Sequence, residues 1–337
     1  MTHGGGNMFD LLKKLTQITG VSGNEEEIRN VIIEEIKDKV DEITVDTLGN
    51  LIAVKKGSGK RIMVAAHMDE IGVIATYIDD NGFIRFSNIG GVSKYNAIGQ
   101  KVKFGNGTIG AVYYEEKIDD IKNLDLSKMY IDIGAKDREE ALKSVNIGDV
   151  ACFVGDAVRQ GDMIISKALD DRCGCAVVIQ AIKNMKETEN EIYFVFTVQE
   201  ELGLRGAKTA AYQIKPDLAI AVDVTATGDT PKCRPMEVKC GNGPAIKIKD
   251  RSIICHPKVK NLLEKAANKI NIPYQFEILE FGGTDSGAIH ISAGGVPSGV
   301  ISIPCRYVHS PVETASLTDI ENAVKLLVES LCYVEND

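Results

Sequence analysis

Two adjacent glutamates, Glu200 and Glu201, close a run of eight β-rich, almost wholly apolar residues from Ile192 to Gln199, and Gly203 then lets the chain turn. Such a run is the pattern of a strand buried on both faces of a sheet. Carboxylates at its end are costly to desolvate unless something pairs with them. A strand that simply reaches water would leave the same trace, but other apolar runs end alike. RIMVAAHMDE (61–70) is apolar until His67 and Asp69, DLAIAVDV (217–224) until Asp223, and GVISIPCRYVH (299–309) mostly so until His309. SKALDDR (166–172), a fifth strand candidate, sets Asp170 and Asp171 just before a helix-like run. Two histidines, several aspartates and one or two glutamates at strand ends are the donor set of a hard-to-borderline divalent metal such as zinc or cobalt.

The spacings suggest a division of labour. Residues two apart on a strand point to the same side, so Asp69 can accept the second ring N–H of His67 and fix its tautomer. A carboxylate that bridges two metals must be short and rigid, and Asp170 qualifies. Capping of the following helix would explain one of Asp170 and Asp171, and two less well. Glu200 and Glu201, as neighbours on an extended backbone, point apart, so one can bind a metal while the other faces a substrate water. Two metals about 3.5–4 Å apart that share a carboxylate make a hydrolytic site. Asp223 and His309 complete two ligand sets of similar size.

The elements that must position these side chains read as a mixed, mostly parallel α/β sheet flanked by helices. Residues 9–40 give a helix, a Gly-rich turn at Gly20 and Gly23, and a second helix with Asn24 as its N-cap. Residues 42–56 give two short strands joined at Gly49-Asn50. From 71 to 165 the texture is short strands and turns, with Asp-Asn-Gly and Asn-Gly hairpin signals and one helix at 137–145. This stretch reads as a β-rich domain inserted into a discontinuous one formed by 8–70 and 166–337. Alternation then resumes: helix 171–187, strand 192–199, helix 205–213, strand 217–224, helix 257–271, strands 274–280 and 299–304, and helix 316–334. The Gly-rich GGTDSGAIHISAGG (282–295) lacks phosphate-loop spacing and is not read as nucleotide-binding.

At 337 residues the chain is long enough for two domains and a large core. It has no apolar run of 18 residues, and no charged, apolar, then small-residue leader is read at its start. The opening MTHGGGN is uninformative and is left out of the fold reading. A net charge of −9 without a basic cluster argues against nucleic acid and anionic membrane as partners. Eight scattered cysteines with no CxxC favour reduced thiols and a cytoplasmic setting over a disulfide framework or a structural zinc site.

AHMDEIG, SKALDDRCG, QEELGLRGA, AVDVTATGD and RYVHSPVE, in this order and spacing, resemble the M42 family of metallo-aminopeptidases. The resemblance runs over nearly the whole chain from Met8, and no site position departs from it. It implies a zinc-peptidase-like catalytic domain with an inserted small β-barrel, PDZ-like and serving self-association. It implies two divalent ions, zinc or cobalt: His67 and Asp223 on one, Glu201 and His309 on the other, Asp170 bridging. By the same resemblance Asp69 orients His67, Glu200 is the general base, and peptides are cut at their N-termini inside a tetrahedral homo-dodecamer.

Two other classes compete. A glycoside hydrolase, a label some family members have carried, would need paired carboxylates about 5–10 Å apart on separate elements. Adjacent residues on one strand do not supply that, and a chain with no Trp has little to stack on sugars. A non-catalytic peptide-binding homologue would be expected to have lost Glu200 or a ligand. For a pocket that takes acidic N-terminal residues, Arg306 and Arg205 are the candidate cations. Cys173 and Cys175 read as small hydrophobes on a helix, not as ligands.

Overall fold

A computed structural model describes residues 8–117 and 120–334; the uninformative opening residues 1–7 lie outside them. The described residues build an eleven-stranded mixed sheet and a closed six-stranded antiparallel barrel. At the heart of the sheet four strands run parallel in the spatial order Glu191–Thr197, Arg61–His67, Leu218–Thr225 and Ser298–Arg306. Nearly every residue of the last three is buried, as their apolar runs require.

Alternation along these strands divides the core between two faces. Ile62, Val64 and Ala66 pack with the helices Met8–Gln17, Glu26–Ile36, Leu169–Lys183 and Leu317–Cys332. Met63 and Ala65 pack on the opposite side with the helix Arg205–Ile214. Because the four strands are parallel, their carboxyl ends lie along one edge, where open α/β sheets place their ligands.

The barrel closes through Gly72–Ile78, Ile84–Ile89, Met129–Asp132, Ile109–Tyr114, Lys101–Phe104 and Val150–Phe153. It has a core of its own around Phe86, Phe104, Val112 and Ile131. The expected turns form: Asp79 Oδ1 accepts the amides of Asn81 and Phe83, and Asn106 Oδ1 accepts that of Thr108. Val158–Gln160 and Met163–Ser166, at the end of the 71–165 stretch and running one residue past it, join the large sheet instead.

Several local expectations are not met. The second helix begins at Glu26, after Glu25 and not after Asn24, and no side chain caps it. Glu25 Oε1 accepts the amides of Gly23 and Gln199 instead. The barrel region carries a second short helix, Lys94–Ala97, and the expected helix at 137–145 is confined to Arg138–Ala141. The strand Ala245–Lys249 and the strand Glu313–Ser316 have no counterpart in the sequence reading. No helix among the described residues is long and apolar enough to cross a membrane.

Candidate metal centre

All seven predicted site residues converge at the carboxyl edge of the parallel strands. His67 is the last residue of its strand, and Asp223 lies near the end of the neighbouring one. Asp170 enters at the head of the helix Leu169–Lys183, where Asp170 and Asp171 depart from helical dihedrals. Its two carboxylate oxygens face different imidazoles: Oδ1 lies 3.0 Å from His67 Nε2 and Oδ2 lies 3.2 Å from His309 Nε2. His67 Nε2 is 3.8 Å from Asp223 Oδ1, and His309 Nε2 is 3.1 Å from Glu201 Oε1. The donors thus form two triads, His67–Asp170–Asp223 and Asp170–Glu201–His309, that share Asp170, with the donor atoms of each within 4.8 Å of one another.

The supports differ from the sequence reading in instructive ways. The strand ends at His67, so Asp69 lies beyond it. His67 Nδ1 is 3.1 Å from the Asp69 main-chain carbonyl and 3.5 Å from its carboxylate. A carbonyl only accepts, so Nδ1 carries the hydrogen and Nε2 is left to face Asp170. The Asp69 carboxylate mainly holds another segment. It accepts the amides of Glu200 (3.0 Å) and Glu201 (3.2 Å) and the Ser22 hydroxyl (2.6 Å). The two glutamates are not on extended backbone either. Their strand stops at Thr197, Gln199 has φ of +53°, and a turn follows. Asp69 therefore fixes the turn that aims both side chains.

Three contributors escaped the sequence reading. Glu313 is buried and accepts the amides of both Asp170 (3.0 Å) and His309 (2.7 Å), which ties the shared carboxylate to the second imidazole. Ser22, in the turn between the first two helices, secures Asp69. Asp285, the first residue of a short helix Asp285–Ile289 that replaces part of the loop expected over 282–295, accepts the Thr197 hydroxyl at 2.5 Å and leaves Oδ1 buried without a partner. Glu313 belongs to RYVHSPVE and Asp285 to the Gly-rich 282–295 stretch, but nothing in their spacing ties them to the candidate metal donors.

The electrostatics fit a cationic occupant. Burial pushes the carboxyls of Glu200, Asp223 and Asp171 well above the usual range, and neighbouring carboxylates add to it. Burial also raises Glu313, to about 8, and Asp285, to about 6. Burial opposes charge on His67, yet its bonds to Asp170 and Asp69 outweigh this and hold its pKa well above the ordinary value. An enclosed surplus of carboxylates around two imidazoles is relieved by divalent cations. Cys173 and Cys175 are fully buried in the core and take no part in the donor set.

Of the candidate cations for an acidic pocket, Arg306 is already spent. Its Nε and Nη2 donate to Asp229 at 3.0 and 2.6 Å. Arg205 opens the helix Arg205–Ile214 and donates to Gln199 Oε1 at 3.4 Å.

The sequence model of the family described as M42 glutamyl aminopeptidase matches residues 49–326. This chain belongs to the M42 peptidase family. It is 77 % identical to a putative aminopeptidase of Acetivibrio thermocellus, over 97 % of this chain and 99 % of that protein. It is similar to the lysyl aminopeptidase of Pyrococcus furiosus, at 36 % identity over 94 % and 95 % of the two chains. The fold matches the solved TET1 peptidase of Pyrococcus horikoshii with a TM-score of 0.88 and 37 % identity, covering 97 % of this chain and 100 % of that one. That peptidase is described as assembling into a tetrahedron or a large octahedral shell. As an M42 member, this chain is a peptide hydrolase of the aminopeptidase class. Metallopeptidase membership implies divalent metal, which suits the paired donor triads.

Proposed function

We propose that this M42 peptidase removes N-terminal residues from peptides at a dinuclear centre, with zinc or cobalt as the ions. His67 and Asp223 hold one ion, Glu201 and His309 the other, and Asp170 is shared. The observation that carries this reading is the Asp170 carboxylate, whose two oxygens face two different imidazoles. When bound, the ions supply Lewis acidity toward the scissile carbonyl and toward the attacking water. Glu200 is the general base: it takes the proton of that water and returns it to the departing amine. The turn that carries it is pinned by Asp69, which limits how far the carboxylate wanders from the reacting atoms. Asp69 also presents its carbonyl to His67 Nδ1 and so selects the tautomer whose Nε2 is free to coordinate.

A dialysed, chelator-treated sample assayed on aminoacyl chromogenic substrates beside a cellulosic one tests the reading. Peptidase activity should vanish and return with zinc or cobalt, and the cellulosic substrate should stay intact throughout. Full activity at zero bound metal would end the dinuclear proposal, and cleavage of the cellulosic substrate alone would favour the glycosidase.

We further assign residues 8–70 and 166–337 to a catalytic domain and 71–165 to an inserted module for self-association, apart from Val158–Gln160 and the start of Met163–Ser166, which pair into the large sheet. The homo-oligomer, a dodecamer by similarity to the shell-forming relatives, is expected in sedimentation at low micromolar concentration. A species near 36.5 kDa with metal in excess would contradict it. All eight cysteines are unpaired, which supports a reducing, cytoplasmic setting.

A further inference from the structure

The inserted barrel reaches into the metal centre. Where its strand Ile84–Ile89 ends, Gly90 and Gly91 turn the chain directly over the Glu201–His309 half of the site. Gly90 has φ of +74°, a left-handed backbone that side chains disfavour. A Cβ on it would also meet Ile71 Cγ2 at 2.7 Å and Glu201 Oε2 at 3.1 Å. Gly91 lies against the His309 ring: a Cβ there would run into Nδ1 and sit 2.8 Å from Cε1. Both glycines therefore abut donors of the same triad.

The His309 backbone has little room to yield. Its N–H donates to Glu313 Oε1 at 2.7 Å, and its carbonyl accepts from Asn96 Nδ2, on the barrel side, at 3.2 Å. Its own φ is +63°. With the backbone held at both ends, pressure on the Nδ1 edge must be taken up by the ring, and the ring carries Nε2 toward or away from Asp170 and Glu201. A histidine ligand depends on what its second nitrogen and its flanks touch. Removing such support typically costs ~10–100-fold in metal affinity.

We propose that the Gly90–Gly91 turn and Asn96 are positioning residues for the Glu201–His309 metal, so that the barrel, beyond any role in self-association, completes one half of the centre. This rests on the dinuclear reading, and titration of the metal-free protein with cobalt separates the two. If the wild-type chain takes up no second ion, the dinuclear reading fails. If it takes up two, Gly91→Ala should weaken one of them by ~10–100-fold and leave the other within about twofold. Turnover should then be low at stoichiometric cobalt and recover in excess.

Gly110→Ala is the control, because its Cβ would press on Ile131 Cγ2 inside the barrel and away from the centre. It should lower barrel stability yet keep both affinities. Two unchanged affinities in Gly91→Ala, or equal metal loss in Gly110→Ala, would overturn the proposal. Should Gly91→Ala fail to fold, Asn96→Ala decides: selective weakening of one ion supports the assignment, and no weakening refutes it.

Discussion

Glu200→Gln is expected to keep about two metals per subunit and to bind substrate normally, while turnover falls by ~10²–10⁴-fold, the usual worth of a general base. Glutamine preserves the shape of the side chain and removes its proton acceptor. The main-chain bond from the Glu200 amide to Asp69 survives the change, so the turn should hold its place. Glu201→Gln acts differently. Glu201 Oε1 lies 3.1 Å from His309 Nε2, inside a donor triad, and an amide there offers one neutral oxygen in place of a carboxylate. One ion should then bind weakly, and excess zinc or cobalt should restore part of the activity. Metal content measured beside kinetics on both variants decides the pair. If Glu200→Gln strips metal while Glu201→Gln keeps it and is inactive, the two roles are reversed.

The candidate donors are legible because most of them sit where an apolar run meets a charge. His67 ends a buried strand, Asp223 lies near the end of another and His309 follows a third, and parallel pairing then forces those ends to one edge. The five motifs together also resembled one family, which the family match bears out. What the sequence hid is contact between distant segments. Asp69 reads as a partner for the His67 ring and its carboxylate lies 3.5 Å from Nδ1, but the same carboxylate also holds the Glu200–Glu201 turn from 131 and 132 residues off, which no local spacing reveals. Glu313 stands in RYVHSPVE with no role read for it, and only the fold brings its two oxygens to the amides of Asp170 and His309. The apolar run continues to Val198 and so predicts extended backbone at Glu200 and Glu201; the left-handed Gln199 that ends it leaves no mark in composition. The contact between Gly91 and His309 was equally invisible, since it joins the barrel to the far end of the chain.

Asp170→Asn should be the most damaging single change at the centre, because Asp170 alone belongs to both triads. Asparagine is nearly isosteric, and the Asp170 amide would still donate to Glu313 Oε2, so the head of the helix should stay in place. The side chain, however, would keep one neutral oxygen and gain an NH₂ group that cannot coordinate. Whichever imidazole the oxygen faces, the other triad loses its shared ligand, and both lose a negative charge. Bound zinc should fall below two per subunit at stoichiometric addition. Losing the paired ions forfeits several kcal/mol of transition-state stabilisation, on the order of 10³-fold in rate at ~1.4 kcal/mol per tenfold. Excess metal should rescue this variant less than it rescues Glu201→Gln, since no single added ion replaces a shared carboxylate. Metal analysis over a zinc titration, with turnover read at each point, provides the check. Two tightly held ions and near-normal turnover in Asp170→Asn would mean that the carboxylate is not shared, and a loss confined to one ion would assign Asp170 to a single half of the site.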